Sequence, residues 1–305
     1  MQQRERLSAA ADAVGGVAAA ASAFAFGSAV VLGVVATERG LPIPGLLAIR
    51  FTIAAAAVAL VLASLRRSLR AAPGEGWWLL LLGGIGYGAE AGFFYLALQH
   101  GTAAAVSLLF FTYPVWVTVF VALMGRGGPG LLVGGSLAAA VAGAALVVAS
   151  SGGLDIDLTG ILLSFASAVT FAVYLILVDW RLRRTPSLVA SMWVTAGAAV
   201  ALALYALVSG EGRMPRDRTE WWAVVGQGVV TSAAFLGLFI GLKRLGPVRV
   251  SIVASLEPMA TAILAFLVLG QAVRPLTALG GALIMGAAVT AALARGREKL
   301  EQTPP

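Results

Sequence analysis

The stretch WWLLLLGGIGYG, residues 77–88, returns 144 positions later as WWAVVGQGVVTS, residues 221–232. The same offset pairs Leu98 with Leu242, Ser107 with Ser251 and Pro114 with Pro258. At an offset of 145, ASAFAFGSAVVL (21–32) meets ASAVTFAVYLIL (166–177), and Gly135 meets Gly280. At 142, PGLLAIRF (44–51) meets PSLVASMW (186–193). Chance can align one pair of Ala-, Gly- and Leu-rich segments. It does not readily place paired tryptophans, a serine and a proline at one offset across two consecutive segments. The chain therefore reads as two copies of one unit, residues 1–152 and 153–305.

Composition says what kind of unit this is. Of the 305 residues 60% are apolar and 11% charged, with mean hydropathy +0.94. Soluble domains carry about 25% charged residues. Most of this chain's surface must therefore face lipid. A helix needs about 20 apolar residues to cross a bilayer core of about 30 Å. Ten such spans are predicted, near 13–36, 44–64, 77–98, 102–124, 130–149, 159–178, 186–208, 221–242, 248–270 and 275–294. The first follows Arg4 and Arg6 like a signal peptide, but nine more spans succeed it, so it is read as an uncleaved helix.

Each copy then holds five spans. With the N-terminus inside, 15 of the 21 lysines and arginines fall in inner segments and 6 in outer ones, including Arg39 and Arg50. The positive-inside rule places both termini in the cytoplasm. Because five is odd, the second copy enters the membrane from the opposite side. The expected fold is all-α, ten transmembrane helices in two inverted five-helix repeats, a plan common among secondary transporters.

Several functions are excluded by residue type. There is no cysteine and a single histidine, His100, so thiolate and histidine-cluster metal sites are ruled out. His100 reads as a loop residue. The cations sit in short clusters between apolar runs, leaving no basic face for nucleic acid. No Gly-x-x-x-x-Gly-Lys-Ser/Thr sequence is present, so the chain does not hydrolyse ATP. Gly-Tyr-Gly at 86–88 suggests a channel filter, but a filter is a non-helical loop repeated around a pore. A membrane enzyme would need an acid–base pair, and no His, Cys or Lys lies near the buried acids in sequence.

Those acids are Glu90 and Glu257, the only ones well inside spans. A charge at mid-bilayer costs at least about 2.5–3.5 kcal/mol, so such residues face a partner or a wet cavity. The alternative is interhelical glue. Their counterparts, Ala234 and Tyr113, carry no charge, which favours a special task over a need of the repeated fold. Pro114 and Pro258 interrupt corresponding spans, and matched interruptions point to a transporter's central site. Ser107 and Ser251 are matched hydroxyls two turns earlier. Tyr87, Phe94 and Tyr113 add aromatic faces suited to a cation or an amphipathic amino acid. The terminal pairs Trp77–Trp78 and Trp221–Trp222 fit an interfacial belt. Gly84, Gly88 and Gly92 recur every four residues and are predicted to form one packing ridge, with Gly228 and Ser232 as its second-copy version. On the same helix Tyr87, Glu90 and Phe94 share another face.

SIVASLEPMATAILAFLVLGQAVRPLTALGGALIMG, residues 251–286, is similar to the closing helix pair of EamA-type carriers in the drug/metabolite transporter superfamily. The likeness rests on Leu256–Glu257–Pro258 and on Leu269–Gly270 before the last loop, and SLLFFTYPVWVTVFVALMG (107–125) matches more loosely. Many members place an acid after that Leu-Gly, where this chain has Gln271, so that acid's role does not carry over. The aromatic centre resembles the YddG-type amino-acid exporters. The resemblance implies a multi-pass carrier of the inner membrane that exports small amphipathic metabolites, amino acids above all. It implies alternating access at a central cavity, no cofactor, and a proton or substrate gradient as energy source. Other metabolites or drug-like cations are the alternative cargo. Nucleotide sugars would need buried cations, and Arg50 alone could serve.

Overall fold

A computed structural model describes residues 2–125, 129–150, 155–181, 184–270 and 274–293. The copy boundary at 152–153 lies outside them, as do Gln271, Arg126, Arg183, Arg295, Arg297 and Lys299. The chain is helical almost throughout: α1 (Gln2–Glu38), α2 (Ile43–Ser64), α3 (Gly76–Leu81), a π-helical turn (Leu82–Tyr87) and α4 (Gly88–Ala97). Then come α5 (Ala103–Phe110), α6 (Tyr113–Leu123), α7 (Leu131–Ser150), α8 (Leu158–Arg181) and α9 (Ser187–Val208). Next are α10 (Arg218–Leu245), α11 (Pro247–Ala254), α12 (Glu257–Leu269) and α13 (Pro275–Leu293). Among the described residues, nine helical stretches are long and apolar enough to cross a membrane. The tenth predicted span is the apolar helix α13, which starts at Pro275. Leu60, Leu204, Leu207 and Leu267 are each more than half exposed, a surface that suits lipid and not water.

Two spans are broken, and sequence explains where. A proline has no N–H to donate and its ring meets the carbonyl four residues back, so it is tolerated only in a helix's first turn. Four residues before Pro114 stands Phe110, where α5 ends. Four before Pro258 stands Ala254, where α11 ends. α6 and α12 then restart at Tyr113 and Glu257, with each proline in the first turn. Both breaks lie at the same place in the repeat, 144 residues apart.

Packing repeats as well. α1 lies along α10, and α8 lies along α4 and the π turn at the corresponding positions of the repeat. In the first pair Ser22 Oγ donates to the Ala234 carbonyl, 2.7 Å. In the second, Ser167 Oγ donates to the Glu90 carbonyl, 3.2 Å. Ser22 and Ser167 are the residues aligned at offset 145, and Glu90 and Ala234 those aligned at 144. α2 packs on α9 and α7 on α13, each copy supplying one helix. Gly143 and Gly280 make the latter approach close: a β-carbon on either would stand 2.5–2.6 Å from the other's carbonyl oxygen.

The glycines of the third span pack unevenly. Residues 82–87 form a π turn, which inserts an extra residue into the helical register before Gly92. Gly84 faces the Gly197 carbonyl, where a β-carbon would lie 3.2 Å away, and Gly88 faces Ala201. Gly92 meets nothing within 4 Å and is not part of the contact. The tightest approach is at Gly83, whose β-carbon would overlap the Val194 carbonyl of α9. In the second copy Gly228 has Ile53 and the Arg50 carbonyl 2.6–3.0 Å from its missing β-carbon. Ser232 is half-buried and returns its hydroxyl to Val229 on its own helix.

The connections meet in two sets. In one, Glu75 accepts from the Arg184 and Thr185 N–H groups and the Thr185 hydroxyl, and Lys243 Nζ donates to the Thr185 carbonyl. Asp12 and Arg249 pair at 3.4 Å in the same set. In the other, Arg213 grips Glu220 through two 2.9 Å bonds and Arg39 meets Asp217. His100 is the loop residue expected, exposed and paired with Asp157 at 3.0 Å beside a Gly101–Ile156 bridge. The Gly160 N–H, and then His100, hold the Asp157 carboxyl below its ordinary range.

Candidate functional site

The two helix breaks bring Tyr113 and Glu257 to the middle of their spans. Tyr113 is 2% exposed and its hydroxyl donates to the Ser251 carbonyl, 3.3 Å. That bond crosses from one copy to the other. Glu257 opens α12 half-buried, and among the described residues its carboxylate takes no hydrogen bond or ion pair.

Glu90 comes from α4 and is 6% exposed. Ser167 Oγ reaches its Oε1 at 3.3 Å as well as its carbonyl. Glu90 and Glu257 come from different copies, on α4 and α12.

Arg50, counted with the outer cations in the sequence and also the one cation there able to serve as a buried charge, is buried. It lies eight residues into α2 and is 8% exposed. Its Nε donates to Thr231 Oγ1 at 2.7 Å, and Thr231 in turn donates to the Gln227 carbonyl. That second bond fixes the hydroxyl so that its oxygen faces the guanidinium. Arg50 also lies over the Phe51 ring, 5.1 Å from its centroid. The signal was present as a lone cation inside the apolar run PGLLAIRFTIAAAA (44–57).

An aromatic wall surrounds these groups. Tyr87 contacts Phe51, Phe235 and Tyr174, at ring distances of 5.1, 5.3 and 6.2 Å. Tyr174 stacks on Phe171, and Phe171 meets Tyr113 edge-on at 4.9 Å. Phe110 links Phe171 to Phe94, so Tyr87, Phe94 and Tyr113 belong to one connected group. Its middle, Phe171 and Tyr174 of α8, follows Ser167 at helical spacing, a pattern readable in the sequence but not singled out as a site. The Tyr174 hydroxyl is buried and has no hydrogen-bond partner among the described residues.

The serines fare less well. Ser251 is fully buried and its hydroxyl returns to Val248 of its own helix, 2.7 Å. Its backbone carbonyl, not its side chain, makes the contact to Tyr113. Ser107 is half-buried on α5. An apolar groove of about 280 Å³ lies elsewhere, between α6 and α8, lined by Phe120, Met124, Val173, Ile176, Leu177 and Trp180. It has no polar lining and no tie to the charged cluster. No group of three or more His, Cys, Asp or Glu suited to a metal occurs among the described residues.

A family model described as the EamA-like transporter family matches residues 13–149 and again residues 158–293. No curated protein matches the sequence significantly. Among solved structures, a crystal structure of a protein shares the fold with a TM-score of 0.78 at 22% identity, covering 94% of this chain and 99% of that one.

Proposed function

The chain belongs to the EamA-like transporter family, a family of membrane transporters, and on that premise we propose that it is a secondary carrier whose substrate sits among Tyr87, Glu90, Phe94, Tyr113 and Glu257. The halves 1–152 and 153–305 act as inverted five-helix repeats, ten spans in all, with both termini in the cytoplasm. The matched breaks at Pro114 and Pro258 carry this reading. They open α6 with Tyr113, whose hydroxyl reaches the Ser251 carbonyl of the other copy, and α12 with the unpaired Glu257. Rocking of one repeat against the other would expose that region to each side in turn. Aromatic walls with a few polar groups suit small amphipathic metabolites, and amino acids, aromatic ones included, fit best. A YddG-type exporter of the inner membrane, driven by a proton or substrate gradient, is the most specific form of this proposal.

A second reading, carriage of drug-like cations, rests on Glu257 beside Tyr113. Ligand-induced shifts in the melting temperature of purified protein separate the two. A ligand at 100 times its Kd adds about 2.7 kcal/mol to stability. Shifts from amino acids support the first reading, shifts from organic cations alone support the second, and shifts from neither class oppose both.

A further inference from the structure

Arg50 and Glu257 are the charged side chains of the central cluster whose ionic groups are left without an opposite partner. Arg50 uses one of its five N–H donors, Nε, on Thr231. Among the described residues its two terminal nitrogens have no acceptor, and the residue is 8% exposed. Glu257 has no donor. No ion pair joins this guanidinium and carboxylate among the described residues; the Phe51, Phe235 and Phe26 rings lead from Arg50 toward α12, where Gly27 packs on Thr261, one turn past Glu257. Glu90, by contrast, already holds Ser167. A buried cation and a half-buried anion, each without a partner of opposite charge among the described residues, define two ends of opposite polarity. The ligand that meets both at least cost carries both charges, negative toward Arg50 and positive toward Glu257.

We propose that Arg50 is a specificity-determining residue that receives the substrate's carboxylate, while Glu257 receives its ammonium group. The site thus selects zwitterions over amines and over carboxylic acids of equal shape. A planar guanidinium can hold a carboxylate through two parallel N–H bonds, and the terminal nitrogens of Arg50 supply them. Phe51 beneath the guanidinium and Thr231 beside it fix its plane. Gly228 lets α10 approach the Arg50 backbone closely enough to place that threonine. The unpartnered Tyr174 hydroxyl is a further polar group within the same cluster. This inference rests on the carrier reading above and narrows its cargo.

The test uses full-length protein in proteoliposomes and competition of matched probes for exchange. The probes are phenylalanine, phenethylamine and 3-phenylpropionate, which share a ring and differ in charge, set against whichever of the twenty amino acids exchanges best. Wild type is expected to prefer the zwitterion over both partners by at least about thirtyfold, the scale of a lost buried charge contact. Arg50→Gln is expected to lose that preference and accept the amine as well as the amino acid. Glu257→Gln is expected to shift toward the acid. Arg50→Lys, which keeps the charge but not the two-pronged geometry, is expected to fall between. A gain of amine exchange in Arg50→Gln also shows that the variant folds. Wild type preferring the amine, or a selectivity unmoved in Arg50→Gln and Arg50→Lys, overturns the proposal and leaves the carrier intact. Exchange of no probe and no amino acid overturns both.

Discussion

Glu257 stands one residue past a helix break with no donor among the described residues, whereas Glu90 shares its carboxylate with Ser167. The two acids therefore answer differently to the same change. In Glu257→Gln the substrate loses its counter-charge, and transport is expected to fall at least about tenfold with melting temperature nearly unchanged. In Glu90→Gln the amide oxygen still accepts from Ser167, so folding is expected to persist and transport to fall less. Uptake and melting curves on the two variants check both statements, and equal losses of stability would reassign Glu257 to packing. At this scale the sequence was legible for charge and poorly legible for partnership. Two lone acids in apolar spans are conspicuous on their own. That Ser251 spends its hydroxyl on Val248, or that Thr231 holds Arg50 across 181 residues, depends on helix rotation, which composition does not encode.

Elements show the same division. The breaks before Pro114 and Pro258 follow from covalent geometry and were foreseeable from two letters of sequence. The π turn at Leu82–Tyr87 was not, and within it Gly83, not among the anticipated glycines, makes the tightest approach to α9. Alanine substitution separates them. Gly83→Ala forces the π turn and α9 apart and is expected to cost about 1–3 kcal/mol, as overpacking does. Gly92→Ala fills open space in a helix and is expected to be neutral or to stabilise by up to about 1 kcal/mol. Thermal melts in one detergent compare them directly. The connection at Glu75 gives a pH prediction. Burial works to raise this carboxyl, but bonds from Thr185 and Arg184, with the Lys243 charge, hold it below its ordinary range. A carboxyl depressed by folding stabilises above its unfolded value, about 4.3, and that contribution is lost as pH falls through the folded value. Acidification below the ordinary carboxylate range is therefore expected to weaken this tie in wild type. Glu75→Gln is expected to be weaker at neutral pH and to show less of that acid-dependent loss. Melting temperature against pH measures it, and parallel profiles for the two proteins would remove Glu75 from the account.

For the whole molecule, duplication was the most legible property, because a repeat offset survives when individual residues do not. The contact between Ser167 and Glu90, mirrored by Ser22 and Ala234, shows why: helix pairs keep their backbone approach while side chains diverge. The absence of cysteine makes topology directly testable, since single cysteines can be added to a silent background. Cysteines at 40, 99 and 212 are expected to react with an impermeant reagent from outside, and those at 66, 74 and 184 only after permeabilisation. A mixed pattern would refute the inverted arrangement. The central claim is that substrate crosses by occupying one site between the two helix breaks. Counterflow in proteoliposomes tests it most directly: labelled amino acid should enter faster when unlabelled substrate is inside, with saturation, and this stimulation should vanish in Glu257→Gln. Entry that rises linearly with concentration and ignores the inner substrate, in wild type and variant alike, would contradict it.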